Sequence, residues 1–163
     1  PKPPQGDWIA ENNKVEINTK NQNTYSGFDW KVRKETNDIM GKQFKVTGKY
    51  NHENKETYYS LYDLEGNWHG YINKKFVKEI SVIYQDVPGL YECLKTDNVY
   101  LDKELNKKSS LKVTKGQTLH LEDIIKVGKY TRAKIRINND IRYVTMRDDF
   151  WKLIYKTKEK KIK

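Results

Sequence analysis

The sequence predicts an all-β protein made of two consecutive small units. Short segments that alternate apolar and polar residues recur along the 163 residues, separated by polar turns, and no long apolar pattern of helical period is present. A mean hydropathy of -1.00 with 33% charged residues is typical of disorder, but 12% aromatic residues supply large rings for burial. The prediction is therefore a thin-cored β protein with a very polar surface.

The N-terminal residues 1–13 are predicted to precede the first unit. Their proline-rich start indicates an extended linker, while residues 7–10 fit either the last strand of a preceding repeat or a cap on the first unit. Because the chain begins without a recognisable signal peptide, we expect it to be a fragment excised from a longer protein.

Two alternating segments predict strands early in the first unit, which is placed at residues 14–80. In residues 14–20, Val15 and Ile17 are expected to face inward. Residues 44–50 alternate again, and we expect Phe44, Val46, Gly48 and Tyr50 to share one face.

Residues 57–73 predict a β-hairpin around which the first unit is organised. Aromatic and β-branched residues fill 57–62, turn residues fill 63–67, and the aromatic pattern resumes over 68–73. Strict alternation cannot place Tyr58, Tyr62, Trp68 and Tyr71 on one face, so some of these rings are expected in a core and others on the surface.

This hairpin resembles the C-terminal half of a GW module, a cell-wall-anchoring repeat of Gram-positive surface proteins and autolysins. The resemblance rests on Tyr-Tyr-Ser-Leu-Tyr at 58–62, on Gly66 and Trp68, and on Gly-Tyr-Ile-Asn at 70–73 followed by lysines. Gly70-Tyr71 stands where the family has Gly-Trp, so the signature residue is a variant. Upstream, Phe28-Asp29-Trp30-Lys31 is similar to the aromatic-x-Trp-Lys stretch of such modules. The resemblance implies a small Src-homology-3-like (SH3-like) barrel that binds teichoic or lipoteichoic acid, or peptidoglycan.

Residues 81–155 are predicted to form the second unit. Apolar runs predict strands at 90–94 and 99–101, and Asn-Asn-Asp at 138–140 predicts a hairpin turn. The strand and turn over 111–119 are similar to the Val-x-x-Gly turn of bacterial SH3-like barrels, and the unit resembles a diverged copy of the first. Two tandem SH3-like barrels are thus expected, followed by a basic tail at 156–163.

The net charge of +10 predicts attraction to anions that weakens with salt. Nucleic acid, an anionic membrane and an anionic wall polymer all fit this charge, and a lysine-rich surface also serves solubility alone. Charge therefore does not select the partner.

No catalytic, metal-binding or cofactor-binding motif is recognised. The single cysteine, Cys93, lies in an apolar run and is expected to be buried and free, and His52, His69 and His120 lack metal-ligand spacing. No phosphate-binding loop, nucleophile elbow or membrane-spanning run is present. Aspartates and glutamates are plentiful, so a wall hydrolase with an unrecognised carboxylate pair stays open as an alternative.

The sequence and the resemblance together predict a non-catalytic, cell-wall-binding module of a secreted Gram-positive surface protein, autolysin or endolysin. The predicted module is extracellular and wall-associated, a monomeric fragment, without cofactor or metal. A basic nucleic-acid-binding β-barrel is the alternative, and the absence of an RNA-binding signature disfavours it. The candidate ligand-binding residues are Trp68, Tyr71, Tyr58, Lys74, Lys75, Phe28 and Trp30.

Overall fold

The computed structural model describes residues 5–157, and in it the chain divides into two compact units that meet between Ile83 and Tyr84. Strands dominate both units, short 3₁₀ turns occur at Thr36–Asp38 and Lys74–Phe76, and no α-helix is found among the described residues. The prediction of an all-β chain is therefore confirmed.

The first unit is one antiparallel sheet of seven strands. Along the sheet the strand order is β3-β2-β6-β5-β4-β1-β7. The end strands β3 and β7 do not pair with each other, so within residues 5–83 the sheet is open and the expected closed barrel is not found. The strands are β1 (Gly6–Ile17), β2 (Asn23–Tyr25), β3 (Val32–Glu35), β4 (Gln43–His52), β5 (Thr57–Tyr62), β6 (Trp68–Asn73) and β7 (Val77–Ile80).

Strand β1 begins at Gly6, so residues 6–13 belong to the sheet of the first unit and do not form a linker. Gly6 to Ala10 pair in antiparallel register with His52 to Gly48 of β4. The indole of Trp8 lies over Gly48, where a Cβ atom would collide with it, so the missing side chain of Gly48 makes room for the ring. Residues 7–10 therefore belong to the first unit and not to a preceding repeat.

One face of the sheet carries an aliphatic core, and two irregularities decide which residues reach it. Val46 pairs with Leu61 but Gly48 pairs with Ser60, so one extra residue in β4 forms a bulge. Beyond the bulge, Tyr50 lies on the face opposite Phe44 and Val46, which corrects the expectation that they share a face. The core consists of Val15, Ile17, Ile39, Phe44, Val46, Tyr59, Leu61 and Ile72.

A second bulge, in β6, gathers the hairpin rings on one face. Leu61 pairs with Gly70 and Tyr62 pairs with Trp68, so His69 is the extra residue. Trp68 and Tyr71 therefore share a face despite their odd spacing, opposite the face of Tyr59 and Ile72. The predicted bounds of the hairpin are confirmed. Its four rings lie on one face of the sheet, where Tyr58 is buried and Tyr62, Trp68 and Tyr71 are half-buried.

The second unit contains two antiparallel sheets around its own core. The larger has the order β10-β9-β14-β13-β12 and the smaller β11-β8-β15, and no closed barrel is found within residues 84–157. Asn138 and Asn139 both have positive φ, as the predicted hairpin turn requires. The strands are β8 (Gly89–Cys93), β9 (Asp97–Tyr100), β10 (Lys108–Val113), β11 (Thr118–Leu121), β12 (Asp123–Val127), β13 (Tyr130–Ile137), β14 (Asp140–Thr145) and β15 (Trp151–Lys156).

The core of the second unit includes Cys93, which is buried and free as predicted. Burial raises the pKa of its thiol, so the group stays protonated at neutral pH. Trp151 is buried with its indole N–H donating to the Thr145 carbonyl at 2.8 Å. Of the predicted basic tail, Lys156 lies in β15 and residues 158–163 lie outside the described residues.

Candidate binding site

The face of the first sheet opposite its aliphatic core carries aromatic side chains from four strands and one loop. Antiparallel register places Trp8 of β1, Tyr50 of β4 and Tyr58 of β5 side by side across the sheet. Since paired residues point to the same side of a sheet, the three rings form a row on the face opposite the aliphatic core. We call this surface the aromatic face; its rings are Trp8, Phe28, Trp30, Tyr50, His52, Tyr58, Trp68 and Tyr71.

The loop between β2 and β3 lays Phe28 and Trp30 onto this row. The loop is closed by hydrogen bonds from the Ser26 amide to the Lys31 carbonyl at 2.9 Å and from the Trp30 amide to the Gly27 carbonyl at 3.3 Å. Trp30 has a φ of 64°, in the left-handed region that bulky residues rarely adopt. The loop therefore holds this indole in a conformation that the residue type does not favour by itself.

Phe28 is the centre of the aromatic face. Its ring stacks on Tyr50 with centroids 4.3 Å apart and contacts Tyr71 at 4.7 Å. Trp30 packs edge-on against Tyr25 at 5.2 Å and lies 5.3 Å from Tyr58. Ring pairs at these separations stabilise one another beyond the area they bury.

Exposure rises from the sheet outward across the cluster. Tyr58 is 5% exposed beneath the loop, whereas Trp30 is 38% and Trp8 is 51% exposed. The inner rings therefore support the Trp30 indole, while the Trp8 indole lies on the sheet over Gly48, and both present their surfaces to solvent.

Trp68 borders the aromatic face and is fixed by polar contacts. Its indole N–H donates to the Ser60 hydroxyl at 2.9 Å, and its ring meets Tyr71 edge-on at 5.3 Å. The guanidinium of Arg33 lies 4.9 Å from the ring centroid and donates to the Trp68 carbonyl at 3.1 Å. A cation over an indole face is attracted by the ring quadrupole, so Arg33 is the positive group that joins this surface.

Gly70 makes this arrangement possible. Its φ of +97° is unfavourable for residues with side chains, and a Cβ atom there would lie 2.7 Å from the Tyr25 carbonyl and 3.0 Å from Arg33 Cδ. The glycine of the predicted Gly-Tyr signature thus allows β2 to approach β6 and Arg33 to cross the hairpin. Next to it, an open groove is lined by Arg33, Lys34, Ile39, Asn67, Trp68 and His69.

His52 lies within the ring cluster as a structural member. Its Nδ1 accepts a hydrogen bond from the Asn54 amide at 2.9 Å, which assigns the ring proton to Nε2. Nε2 is buried and has no hydrogen-bond partner among the described residues, while the rings of Phe28 and Trp30 lie 5.4 and 5.2 Å away. The histidine contributes a flat ring to the cluster.

Burial also affects the phenol of Tyr71. Burial raises its pKa, and the neighbouring phenols of Tyr62 and Tyr50 raise it further. The phenol is therefore neutral over the physiological range.

Lys74 and Lys75 do not join the aromatic face. The Lys74 ammonium lies 6.0 Å from the ring centroid of Tyr59, a residue of the aliphatic face. The Lys75 ammonium contacts the Glu56 carboxylate at 2.5 Å, and this hydrogen bond lowers the pKa of Glu56. Lys74 and Lys75, two of the candidate ligand-binding residues, therefore lie apart from the rings.

The other predicted site residues come together. Phe28, Trp30, Tyr58, Trp68 and Tyr71 all belong to the aromatic face, although their role in binding stays a prediction.

Sequence reasoning missed Trp8, Tyr50, His52 and Arg33 in this cluster. Trp8 was assigned either to the last strand of a preceding repeat or to a cap on the first unit, and Tyr50 to the core face, because neither the pairing of β1 with β4 nor the bulge in β4 is marked by local alternation. The sequence signal for an earlier start of β1 is Trp8-Ile9-Ala10, a β-like segment that ends shortly before the first alternating strand.

The described residues offer no metal site and no membrane span. Within residues 5–157 no group of three His, Cys, Asp or Glu side chains is close enough to hold a metal ion. No helix in this part of the chain is long and apolar enough to cross a membrane.

Comparison with known proteins shows similarity to solved structures but to no family model. No family model matches the chain, and no curated protein matches it. Among solved structures, the chain is similar to one described as a "putative autolysin from Listeria monocytogenes", with a TM-score of 0.41 and 8% identity. The similarity covers 86% of this chain, which spans 64% of the length of that protein.

Proposed function

We propose that this chain is a non-catalytic cell-wall-binding module that targets a larger secreted protein to anionic wall polymer (teichoic or lipoteichoic acid) or to peptidoglycan. The single observation that carries the proposal is the aromatic face, in which two indoles, those of Trp8 and Trp30, are exposed to solvent among packed rings. Rings with apolar faces suit the apolar faces of sugars and polyol chains, and the charge of +10 attracts the anionic groups of such polymers.

The proposal includes the module assignment that the sequence suggested. Residues 14–80 are taken as a GW-like unit extended by the start of β1, and residues 81–155 as a diverged SH3-like unit. Gly66, Gly70 and the five aromatic residues that come together in the first unit support the first assignment. The localisation is extracellular and wall-associated.

The test removes the exposed indoles and measures binding to purified Gram-positive walls. Trp8→Ala and Trp30→Gly are expected to lower wall binding at least tenfold while both units stay folded. Glycine suits the second position because it adopts a φ of 64° freely. Tyr155→Ala is the matched control, since Tyr155 is 53% exposed and lies in the second unit.

The outcomes separate the possible ligands. Walls stripped of teichoic acid should bind less if the anionic polymer is recognised, and added salt should then weaken binding because exposed charges are screened within about 10 Å at 0.1 M salt. Binding that survives both treatments would identify peptidoglycan. If Trp8→Ala and Trp30→Gly bind walls as well as Tyr155→Ala does, the aromatic face is not the site and the proposal fails.

Nucleic acid is the competing ligand for the same rings, because bases stack on aromatic side chains. Competition by a single-stranded DNA homopolymer tests it. If the DNA displaces the protein from walls at a much lower concentration than soluble wall polymer does, the nucleic-acid function is favoured.

A further inference from the structure

The five-stranded sheet of the second unit has an outer face on which basic residues recur at every second position of β13. Arg132, Lys134 and Arg136 alternate with Ala133, Ile135 and Ile137, which pack against the core. Since successive side chains point to opposite faces, the three cations share the face turned away from the core.

Strand register extends this row of charge across the sheet. Lys134 pairs with Tyr143, Tyr143 pairs with Tyr100, and Tyr100 pairs with Lys108. Lys112 pairs with Asn98, which lies two residues before Tyr100 and so on the same side of β9. We call this surface the basic face; its cations are Lys108, Lys112, Arg132, Lys134 and Arg136.

Among the described residues, no carboxylate lies within the 4.0 Å of an ion pair from any of the five cations, whereas Arg142 and Arg147 of the same unit have aspartate partners at 3.7 and 2.9 Å. Asp123 is the register partner of Lys134 and lies on the same face, but it forms no ion pair with Lys134. The five cations repel one another, and a bound anion relieves that repulsion.

Arg132 adds a second, independent observation. It is 8% exposed, its Nε has no hydrogen-bond partner among the described residues, and its guanidinium lies 5.0 Å from the ring centroid of Tyr130. A charge withdrawn from water without a counter-charge is unfavourable, so this group also gains from an anion on the face.

The spacing of the cations selects the kind of anion. Neighbouring strands are about 4.8 Å apart, so the three steps from Lys134 to Lys108 span about 14 Å, while Lys134 and Arg136 are about 7 Å apart along β13. The row of cations is therefore longer than a single phosphate group, and it presents positive charge to successive phosphates of a linear polymer.

We propose that the basic face is a second binding site, for a polyol-phosphate polymer held by its phosphodiester groups. This deepens the wall-binding function proposed above by assigning the second unit a ligand class of its own. The rings on this face are the half-buried Tyr100 and Tyr143 and, at its end, Tyr130, whose ring already contacts Arg132 and Tyr84. Because nucleic-acid bases bind by stacking on open rings, this surface fits a backbone without bases better.

The test measures binding of soluble, lipid-free poly(glycerol phosphate) to the whole chain at several salt concentrations. Lys134→Gln/Arg136→Gln should weaken binding about tenfold or more at low salt and reduce the slope of log K against log salt by about 2, one unit for each lost phosphate contact. Lys103→Gln/Lys115→Gln is the matched control, because it removes the same charge from exposed loop positions of the same unit. The control should keep the wild-type slope.

Three results would overturn the proposal: equal slopes in the two double variants, no binding of poly(glycerol phosphate), or tighter binding of a single-stranded oligonucleotide with the same number of phosphates. Failure here is distinguishable from failure of the wall-binding function. If Trp30→Gly loses wall binding while the basic-face variant behaves like its control, the first unit still binds walls and only the second site is rejected. If Trp30→Gly binds walls normally and the basic-face variant alone loses the polymer, the second site stands without the aromatic one.

Discussion

The close approach of β2 to β6 at Gly70 gives the sharpest test of the first unit. In Gly70→Ala the new Cβ would lie 2.7 Å from the Tyr25 carbonyl oxygen, which is 0.7 Å short of an ordinary 3.4 Å contact. The neighbouring atom belongs to the backbone, so β2 itself must move. A left-handed φ costs a residue with a side chain about 1–2 kcal/mol, and each hydrogen bond lost between β2 and β6 costs about 1 kcal/mol more. We therefore expect Gly70→Ala to lower the free energy of unfolding of the first unit by about 3 kcal/mol.

Gly66→Ala separates the two contributions. Gly66 has a φ of +88°, close to that of Gly70, but nothing lies within 4 Å of its added Cβ. Its expected cost is therefore the backbone contribution alone, about 1–2 kcal/mol. Urea unfolding of the whole chain, followed by tryptophan emission, reports mainly on the first unit, which holds three of the four tryptophans. Equal destabilisation by Gly66→Ala and Gly70→Ala would show that the approach of β2 does not constrain Gly70, and the reasoning would be wrong.

Two further predictions concern the hairpin between β5 and β6. Trp68→Phe removes the indole N–H that donates to the Ser60 hydroxyl, and since Ser60 is 3% exposed we expect a loss of about 1–2 kcal/mol in urea unfolding, against almost none for Trp8→Phe. Burial raises the pKa of Asp63, but hydrogen bonds from His69, Asn67 and the Glu65 amide lower it more, so it lies below its usual range. The folded-state pKa is below the unfolded one, so this stabilisation is complete above the unfolded pKa and is lost as pH falls through the folded pKa. Thermal melts at acid pH should show a steeper loss of stability for wild type than for Asp63→Asn, and parallel curves would contradict this role.

The hairpin could be predicted from the sequence because its determinants are local. Asp63 accepts hydrogen bonds from the amides of Glu65 and Asn67 at 3.0 and 2.9 Å, and Gly66 takes the positive φ that the turn requires. These residue types at these spacings specify a turn without help from the rest of the chain. The bounds of β5 and β6 follow directly.

The face on which each ring lies could not be predicted, because it depends on strand pairing between distant segments. Alternation assigns Tyr50 to the face of Val46 unless an extra residue intervenes, and the bulge that intervenes is defined only by which residues of β5 lie opposite β4. The same holds for Trp8, whose membership of the sheet depends on Gly48, far along the chain. Whether the sheet closes into a barrel likewise depends on whether its two end strands pair with each other. The number and the length of the strands do not determine this.

The left-handed conformation of Trp30 can be explained by the packing of its ring. A left-handed φ costs about 1–2 kcal/mol, while aromatic pairs contribute about 0.5–1.5 kcal/mol each. Trp30 contacts four rings, those of Tyr25, Phe28, His52 and Tyr58. Packing alone is thus sufficient to hold the residue in its conformation, and the strain by itself does not point to a ligand. Packing does not explain why the indole stays 38% exposed on a supported layer of rings. The exposed ring surface, and not the backbone strain, is therefore what suggests ligand binding. Substitutions that remove this surface without unfolding the sheet test whether the rings bind a ligand.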